Sequence, residues 1–481
     1  MLNLSFPLPF GASLNLLAAA DAIAAIVVTV HVLMTKRDVR AAAGWIGLAW
    51  LSPFVGALMY YLFGINRIAR RASRRALGAH RKRGTLHPRQ LPGTPDGNLT
   101  GPLAAIARVG AHVTRRPLAP GNALEVLPSG EQAYAAMLEA IGNARTSIAL
   151  ASYIFRADAI GREFIAALSA AAARGVAVRV LVDGIGGGYL LPGAVGRLHR
   201  TGIPSARFTH HWQPWRVLFL NLRSHKKILV VDGAIGFTGG LNIGAENAPL
   251  LRRPRRVDDV HFRIRGPVVS QMMLTFAEDW NFTTGEVLDG AAWWPAIPSA
   301  GPVLARGISS GPDEDVGKLE AVFQAAVSQA ERRIRIVTPY FLPDTILTGT
   351  IALASLRGVE VEVLLPARSD VRLIDWASRA HIPYLPGVKW YVTPAPFDHA
   401  KLVTVDGHWC AVGSANWDSR SLRLNFEFNV ECYDEQATAA VDRIIDARIA
   451  RAHALTHHEY AKRSRAVRLR DSAARLLLPL L

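Results

Sequence analysis

Two long apolar runs open the chain. Residues 14–34 carry a single charge, Asp21, and residues 41–65 carry none. Each run is long enough to cross about 30 Å of hydrocarbon as a helix rising about 1.5 Å per residue. The pattern therefore predicts two membrane segments within residues 1–66, separated by a turn holding Lys36, Arg37, Asp38 and Arg40. Residues 1–13 lack the positive charge that precedes the apolar core of a secretory signal. Trp45, Trp50, Tyr60 and Tyr61 sit near the ends of the second run, where interfacial aromatics belong. Pro53 interrupts that run, so the pattern fits a transmembrane helical hairpin and also one that re-enters a single face. A buried helical pair in a soluble protein is the remaining reading.

Beyond residue 122 the pattern alternates and then repeats. A helical stretch at 131–143 leads into an apolar strand at 147–154, followed by Phe155 and Asp158. Likewise 316–332 leads into 334–337, then Thr338-Pro339-Tyr340-Phe341 and Asp344. Arg174-Gly175-Val176 with a strand at 177–182 is matched by Arg357-Gly358-Val359 with a strand at 360–365, an offset of 183 residues. Strands alternating with helices predict an α/β fold made of two similar halves packed face to face, each with a largely parallel sheet. The first half covers 121–300 and the second 301–481. Residues 67–120 read as a basic linker containing Pro and Gly, with a short helix near 103–112.

Charge adds a partner to this outline. Lys and Arg outnumber Asp and Glu 55 to 38, and twelve of those bases fall between residues 66 and 120 against one acid, Asp96. So local an excess, next to membrane runs, points to an anionic phospholipid surface, with no nucleic acid expected. The eight Lys/Arg between Arg67 and Arg83 place that side in the cytoplasm, opposed by the three bases of the short turn. Half the residues are hydrophobic, which excludes global disorder. Two cysteines, Cys410 and Cys432, exclude a disulfide-stapled scaffold and a cysteine-rich zinc module.

The repeat carries one motif twice. His225-Lys226-Lys227-Ile228-Leu229-Val230-Val231-Asp232 is followed by Gly239-Gly240-Leu241-Asn242. His399-Ala400-Lys401-Leu402-Val403-Thr404-Val405-Asp406 is followed by Gly413-Ser414-Ala415-Asn416. Both read HxKxxxxD, then six residues, then Gly-Gly or Gly-Ser, then xN. The chain has eight Lys against 47 Arg, yet two of the eight occupy this position. Chance gives roughly 0.01 single matches in such a chain, so two aligned copies carry real weight. On a strand, residues i and i+2 share a face, so each His projects with its Lys. Two facing halves then gather two His, two Lys and two Asn around one pocket. Such a set suits a phosphodiester: ammonium and amide donors hold the nonbridging oxygens, one imidazole attacks phosphorus and the other protonates the leaving alkoxide. It lacks a metal-ligand spacing, and neither a metal nor another cofactor is expected.

These residues resemble the phospholipase D superfamily, whose members carry two HxKxxxxD motifs. Within it, nearly the whole chain is similar to bacterial cardiolipin synthases. The likeness rests on the apolar segments, on Pro117-Leu118-Ala119-Pro120-Gly121-Asn122, on Tyr153-Ile154-Phe155 with Asp158, and on Asn221-Leu222-Arg223-Ser224 before His225. In the second half it rests on Thr338-Pro339-Tyr340-Phe341, Asp418-Ser419-Arg420-Ser421, Asn425-Phe426-Glu427 and the leucine-rich tail 475–481.

The resemblance implies phosphatidyl transfer between two phosphatidylglycerol molecules at the bacterial inner membrane, giving cardiolipin and glycerol. His225 is then the nucleophile and His399 the acid and base. Lys227, Lys401, Asn242 and Asn416 bind phosphate, and Asp259 and Glu427 orient the histidines. Asp232 and Asp406 complete the motif but lie seven residues from their histidines, and read as structural strand-end residues. A phospholipase D-type hydrolase acting on lipid or nucleic acid is the alternative. Phosphatidylethanolamine as second substrate, and the oligomeric state, stay open.

Two positions depart from the family pattern. Val257-Asp258-Asp259 lacks a common Trp, and Asp398 stands where an apolar residue is usual. Fainter signals remain. Gly184, Gly186, Gly187 and Gly188 fall short of a dinucleotide fingerprint. His210-His211 and His457-His458 read as polar surface. Residues 207–216, with Trp212 and Trp215, read equally as a lid or an ordinary loop, and 463–481 as a bilayer-surface or a packed segment.

Overall fold

The computed structural model describes residues 10–36, 39–52, 54–64, 91–96, 98–186, 193–208, 223–248, 256–312 and 315–476. The bases from Arg67 to Arg89, His210-His211, Trp212, Trp215, Asn221-Leu222, Gly187-Gly188 and residues 477–481 lie outside that set. The chain forms two compact units, Met1–Ala76 and Leu77–Leu481.

Among the described residues of the first unit, one helix reaches membrane-spanning length. Phe10–Thr35 contains the apolar stretch Leu17–Thr35, of mean hydropathy 2.2. The second run, expected as another crossing, is divided. Val39–Leu51 stops after 13 residues, and Val55–Met59 and a π-helical turn at Tyr60–Gly64 follow. Thirteen residues rise only about 20 Å, short of the hydrocarbon thickness. The break coincides with Pro53, which has no N–H to continue a helical ladder. Asp21, the one charge of the first run, accepts the Phe54 N–H at 2.7 Å. His31 Nδ1 meets Tyr60 Oη at 2.5 Å, and Ala25, Val28 and Val32 pack with Ala49 and Tyr60. Ile23, Val27 and Leu33 are left exposed.

The second unit is built on one 15-stranded sheet. In the first half, Ser147–Ser152, Ala177–Asp183 and Ser205–Phe208 run parallel, joined by helices Ala159–Ala173 and Gly193–Arg200. Ile228–Val231, Ile235–Gly239, His261–Arg265 and Ala119–Leu127 then continue the sheet antiparallel. The second half repeats this order. Arg333–Val337, Glu360–Pro366 and Lys389–Thr393 are parallel; Leu402–Val405, Trp409–Gly413, Glu427–Tyr433 and Val303–Ser310 are antiparallel. Ala119–Leu127 pairs with Val303–Ser310 and makes the two halves one sheet.

The sheet is therefore mixed, not largely parallel: four of its fourteen strand contacts are parallel. The reason is local. Parallel neighbours need a long crossover, whereas each motif strand is followed by a short turn that can only return antiparallel. Those turns carry Asp232-Gly233 at φ 51° and 62° and Asp406-Gly407 at φ 54° and 78°. Asp-Gly supplies the positive φ that tight hairpins require.

Helices Val269–Thr284 and Glu435–Ile449 contribute Met272, Phe276 and Trp280, and Val441 and Ile445, to a core that both halves share. Part of the segment read as a linker is folded here. Helix Gly101–Thr114 buries Ile106 and Ala107 against the second half. Arg306, paired with Glu431 at 2.6 Å, donates to the Ala107 carbonyl at 2.8 Å. Arg116, one of the bases counted toward the membrane, is buried and donates to Thr275 Oγ1 at 2.9 Å. The tail helix Arg465–Leu476 packs through Ala474, and Arg470 lies 4.4 Å over the Trp376 ring.

Candidate active site

Each motif histidine precedes its strand and does not sit on it; the strands begin at Ile228 and Leu402. What fixes the histidines is a bridge from the other half. Ser224 pairs with Phe426, and the His225 N–H donates to the Phe426 carbonyl at 2.8 Å. In mirror fashion, Phe397-Asp398 pairs with Val257-Asp258, and the His399 N–H donates to the Asp258 carbonyl at 2.7 Å. The residue after each bridging partner is a carboxylate, so the acid that meets each histidine comes from the opposite half. Glu427 Oε2 lies 3.1 Å from His225 Nδ1, and Asp259 Oδ2 lies 2.7 Å from His399 Nδ1. The two imidazole centroids are 6.4 Å apart.

The two pairs differ electrostatically. Burial pushes Asp259 up, but His399, Lys401 and the Val260 N–H outweigh it and hold the carboxyl below its usual range. Burial wins at Glu427, whose pKa rises to about 7 against the opposing pull of Lys227, Ser414 and Asn425. His225 is driven well below an ordinary histidine by burial and then by Lys227 and Lys401. His399 is lowered by burial and Lys401, with Asp259 opposing. The Ser414 carbonyl, 3.2 Å from His225 Nδ1, can only accept, so Nδ1 carries the proton and Nε2 keeps its lone pair.

Both lysines are buried and turn back on their own motif: Lys227 Nζ donates to the His225 carbonyl at 2.7 Å, and Lys401 Nζ to the His399 carbonyl at 2.5 Å. Burial lowers Lys227 to about 7 and Lys401 to about 8. Asn242 lines the cavity, and its Oδ1 accepts the Ile154 N–H at 3.2 Å. Asn416 Oδ1 is buried without a partner among the described residues. A cavity of about 1350 Å³ joins His225, His399, Asn242 and Asn416. Asp232 and Asp406 lie elsewhere. Asp232 accepts the N–H groups of Arg145, Thr146 and Ser147 at 2.7–3.1 Å, and Asp406 those of Glu331, Arg332 and Arg333 at 2.7–2.8 Å.

Both departures from the family pattern are engaged. Asp398 is buried and paired with Arg448 at 2.9 Å, and Asp258 meets Arg451 at 3.1 Å. Sequence reasoning missed supporting residues. Glu427 accepts from Ser414 Oγ at 2.6 Å and from Asn425 Nδ2 at 3.3 Å. Asp183 accepts the Ser224 N–H at 2.7 Å. Tyr153 lies 4.8 Å from the His225 ring. Position in the turn after the second motif was the available signal for Ser414. Asp183, 41 residues before its partner, had none.

Comparison with known proteins places this geometry among relatives. Residues 137–280 and 323–449 match the family model described as "Cardiolipin synthase, PLD-like domain", and 23–64 match "Phospholipase_D-nuclease N-terminal". The chain is 32% identical over 462 residues to a cardiolipin synthase of Geobacillus thermodenitrificans (strain NG80-2), covering 93% of this chain and 90% of that one. It is 33% identical over 487 residues to cardiolipin synthase A of Pseudomonas aeruginosa (strain UCBPP-PA14), covering 97% and 96%. Among solved structures, the phosphatidylserine synthase of Haemophilus influenzae Rd KW20 shares the fold, with a TM-score of 0.61 at 16% identity over 78% of this chain and all of that one.

Proposed function

The chain belongs to the cardiolipin synthases of the phospholipase D superfamily, and from that premise we propose how its residues join two phosphatidylglycerol molecules into cardiolipin and glycerol. His225 Nε2 attacks phosphorus; a P–N bond forms, the P–O bond to the glycerol head group breaks, and His399 Nε2 gives its proton to the departing oxygen. His399 then takes the proton of the second lipid's primary hydroxyl. That oxygen forms a new P–O bond and releases His225.

The observation that carries this assignment is the unequal pairing of the histidines. The nucleophile has to be neutral, and His225, low in pKa with its tautomer set by Ser414, suits that role. The acid has to hold a proton, and the ionised Asp259 opposes the lowering of His399 by burial and Lys401, so His399 holds one more readily than His225. A phosphodiester beside Lys227 and Lys401 would restore their charge, and the Asn242 and Asn416 amides are its further donors.

The chain associates with the membrane. Helix Phe10–Thr35 spans it in this proposal, and the catalytic unit faces the cytoplasm. With one crossing, Lys36, Arg37 and Arg40 and the bases at 67–83 all follow the spanning helix in sequence, so the two groups no longer argue for opposite orientations. The test is mass spectrometry of lipids and glycerol after incubating the full chain with phosphatidylglycerol vesicles, beside His225→Ala. Cardiolipin and glycerol from the wild type only support the proposal. Phosphatidic acid in their place would make water the acceptor, and cardiolipin from His225→Ala would remove the nucleophile.

A further inference from the structure

The transferred phosphate is not the only anion the reaction brings in. The acceptor phosphatidylglycerol carries its own phosphodiester, three carbons from the hydroxyl that reacts. The cavity therefore has to receive a second negative charge beside the His-Lys-Asn set.

The likeness of the two halves breaks where such a charge would sit. Two residues before His225 is Arg223; two before His399 is Phe397. Four residues after Asn416 is Arg420; four after Asn242 is Glu246. Tyr153 has Pro339 as its counterpart when Phe155 and Asp158 are matched to Phe341 and Asp344. The cavity lining includes Arg223, Arg420 and Tyr153, together with Arg156, Arg256 and Arg368. It also includes the counterparts Phe397, 5.7 Å from the His399 ring, and Glu246, which is taken up by Arg156 at 2.8 Å.

Arg223 is only partly satisfied from within. Arg223 Nη1 donates to Tyr153 Oη at 3.2 Å, and its Nε is buried without a hydrogen-bond partner among the described residues. A buried donor in that state carries a desolvation cost unless a ligand meets it. Two nearby acids are already engaged. Asp183 accepts the N–H groups of Ile185, Gly186 and Ser224, and Asp418 accepts the Ser421 N–H at 2.7 Å and its hydroxyl at 3.1 Å. Arg420, which lines the same cavity, is lowered first by burial and then by repulsion from Arg223, with Asp418 opposing. An anion between them relieves that repulsion, and guanidinium groups match phosphate oxygens well.

We propose that Arg223 and Arg420, one from each half, form a second phosphate subsite that binds the phosphodiester of the acceptor lipid. It rests on the reading that this enzyme transfers phosphatidyl groups to phosphatidylglycerol. The subsite favours a phosphate-bearing alcohol over water or a simple alcohol, and so directs the enzyme toward synthesis.

The test is competition between acceptors. Wild type, Arg223→Gln, Arg420→Gln and Arg420→Lys are incubated with phosphatidylglycerol vesicles in the presence of ethanol. Cardiolipin and phosphatidylethanol are then quantified together. Each Gln variant is expected to lower the cardiolipin-to-phosphatidylethanol ratio about tenfold or more, with Arg420→Lys recovering part of it. Phosphatidylethanol formation reports that the variant is folded and still uses the donor. A second series replaces ethanol with deuterated glycerol, whose product is then distinguishable from the donor by mass, or with sn-glycerol 3-phosphate, which separates a free phosphate from a lipid head group. The wild type is expected to prefer the phosphorylated acceptor and the Gln variants to lose that preference. An unchanged ratio, or an equal fall in both products, overturns the subsite. Wild type that makes no cardiolipin overturns the synthase reading instead, and the glycerol 3-phosphate series then decides the subsite by itself.

Discussion

His225 and His399 stand in the same motif, face one cavity and are held by mirrored bridges, yet their partners leave them in different states. Asp259 lies 2.7 Å from His399 and is held low; Glu427 lies 3.1 Å from His225 and is raised to about 7. Part of the difference traces to one position. A Cβ on Gly240 would come within 2.2 Å of Asp259, so that carboxylate fills the space a side chain would need. The matching residue is Ser414, whose hydroxyl bonds Glu427 and whose carbonyl reaches His225. A repeated frame thus yields an asymmetric pair of bases, because each frame is completed by the other's side chains.

Removing either histidine is the severest test of that asymmetry. His225→Ala and His399→Ala should each lower turnover by about 10³-fold or more. Intact-protein mass spectrometry should find lipid covalently attached in His399→Ala and none in His225→Ala. Attachment in both, or in His225→Ala only, would reverse the roles. The carboxylates come next. Asp259→Asn should cost about 10²-fold in kcat/KM and Glu427→Gln about tenfold, since the Ser414 carbonyl still fixes the His225 tautomer. Equal losses would erase the distinction.

Acidity sharpens the same contrast. Glu427 ionises near pH 7, and its charge stabilises the positive imidazole formed on attack, so the rate should rise with pH through about 7. That inflection should vanish in Glu427→Gln and persist in Asp259→Asn. Stability runs the other way. The native pKa lies above the ordinary 4.5, so Glu427's contribution is full below about 4.5 and is lost as pH rises toward 7. Thermal melts across that range should show Glu427→Gln closing the gap. The smallest effect on chemistry belongs to the turn aspartates. Asp232→Ala and Asp406→Ala should each lose about 1–3 kcal/mol of stability by denaturant titration, alike in both halves, with turnover of the folded protein kept.

Sequence gave good access to whatever repeats. The duplicated HxKxxxxD and xN positions and the shared offset were all visible as local spacing. The strand directions were misjudged because helical crossovers dominate the apolar pattern, while the Asp-Gly turns that impose antiparallel pairing occupy two residues each. The second apolar run fits a crossing or a re-entrant segment from composition, which shows its length but not where its helix breaks, although Pro53 is the signal for the break. Which carboxylate meets which histidine could not be read at all. Asp259 and His399 are 140 residues apart, and only the bridge between halves brings them together.

That bridge also sets a clock. Glu427 follows His225 by 202 residues. At a ribosomal pace of about 5–20 residues per second, roughly 10 to 40 seconds separate the synthesis of the nucleophile from that of its partner. During that interval the growing chain holds His225 without its carboxylate partner. Splitting each dyad across the halves withholds lipid chemistry from the nascent chain until the second half has folded against the first.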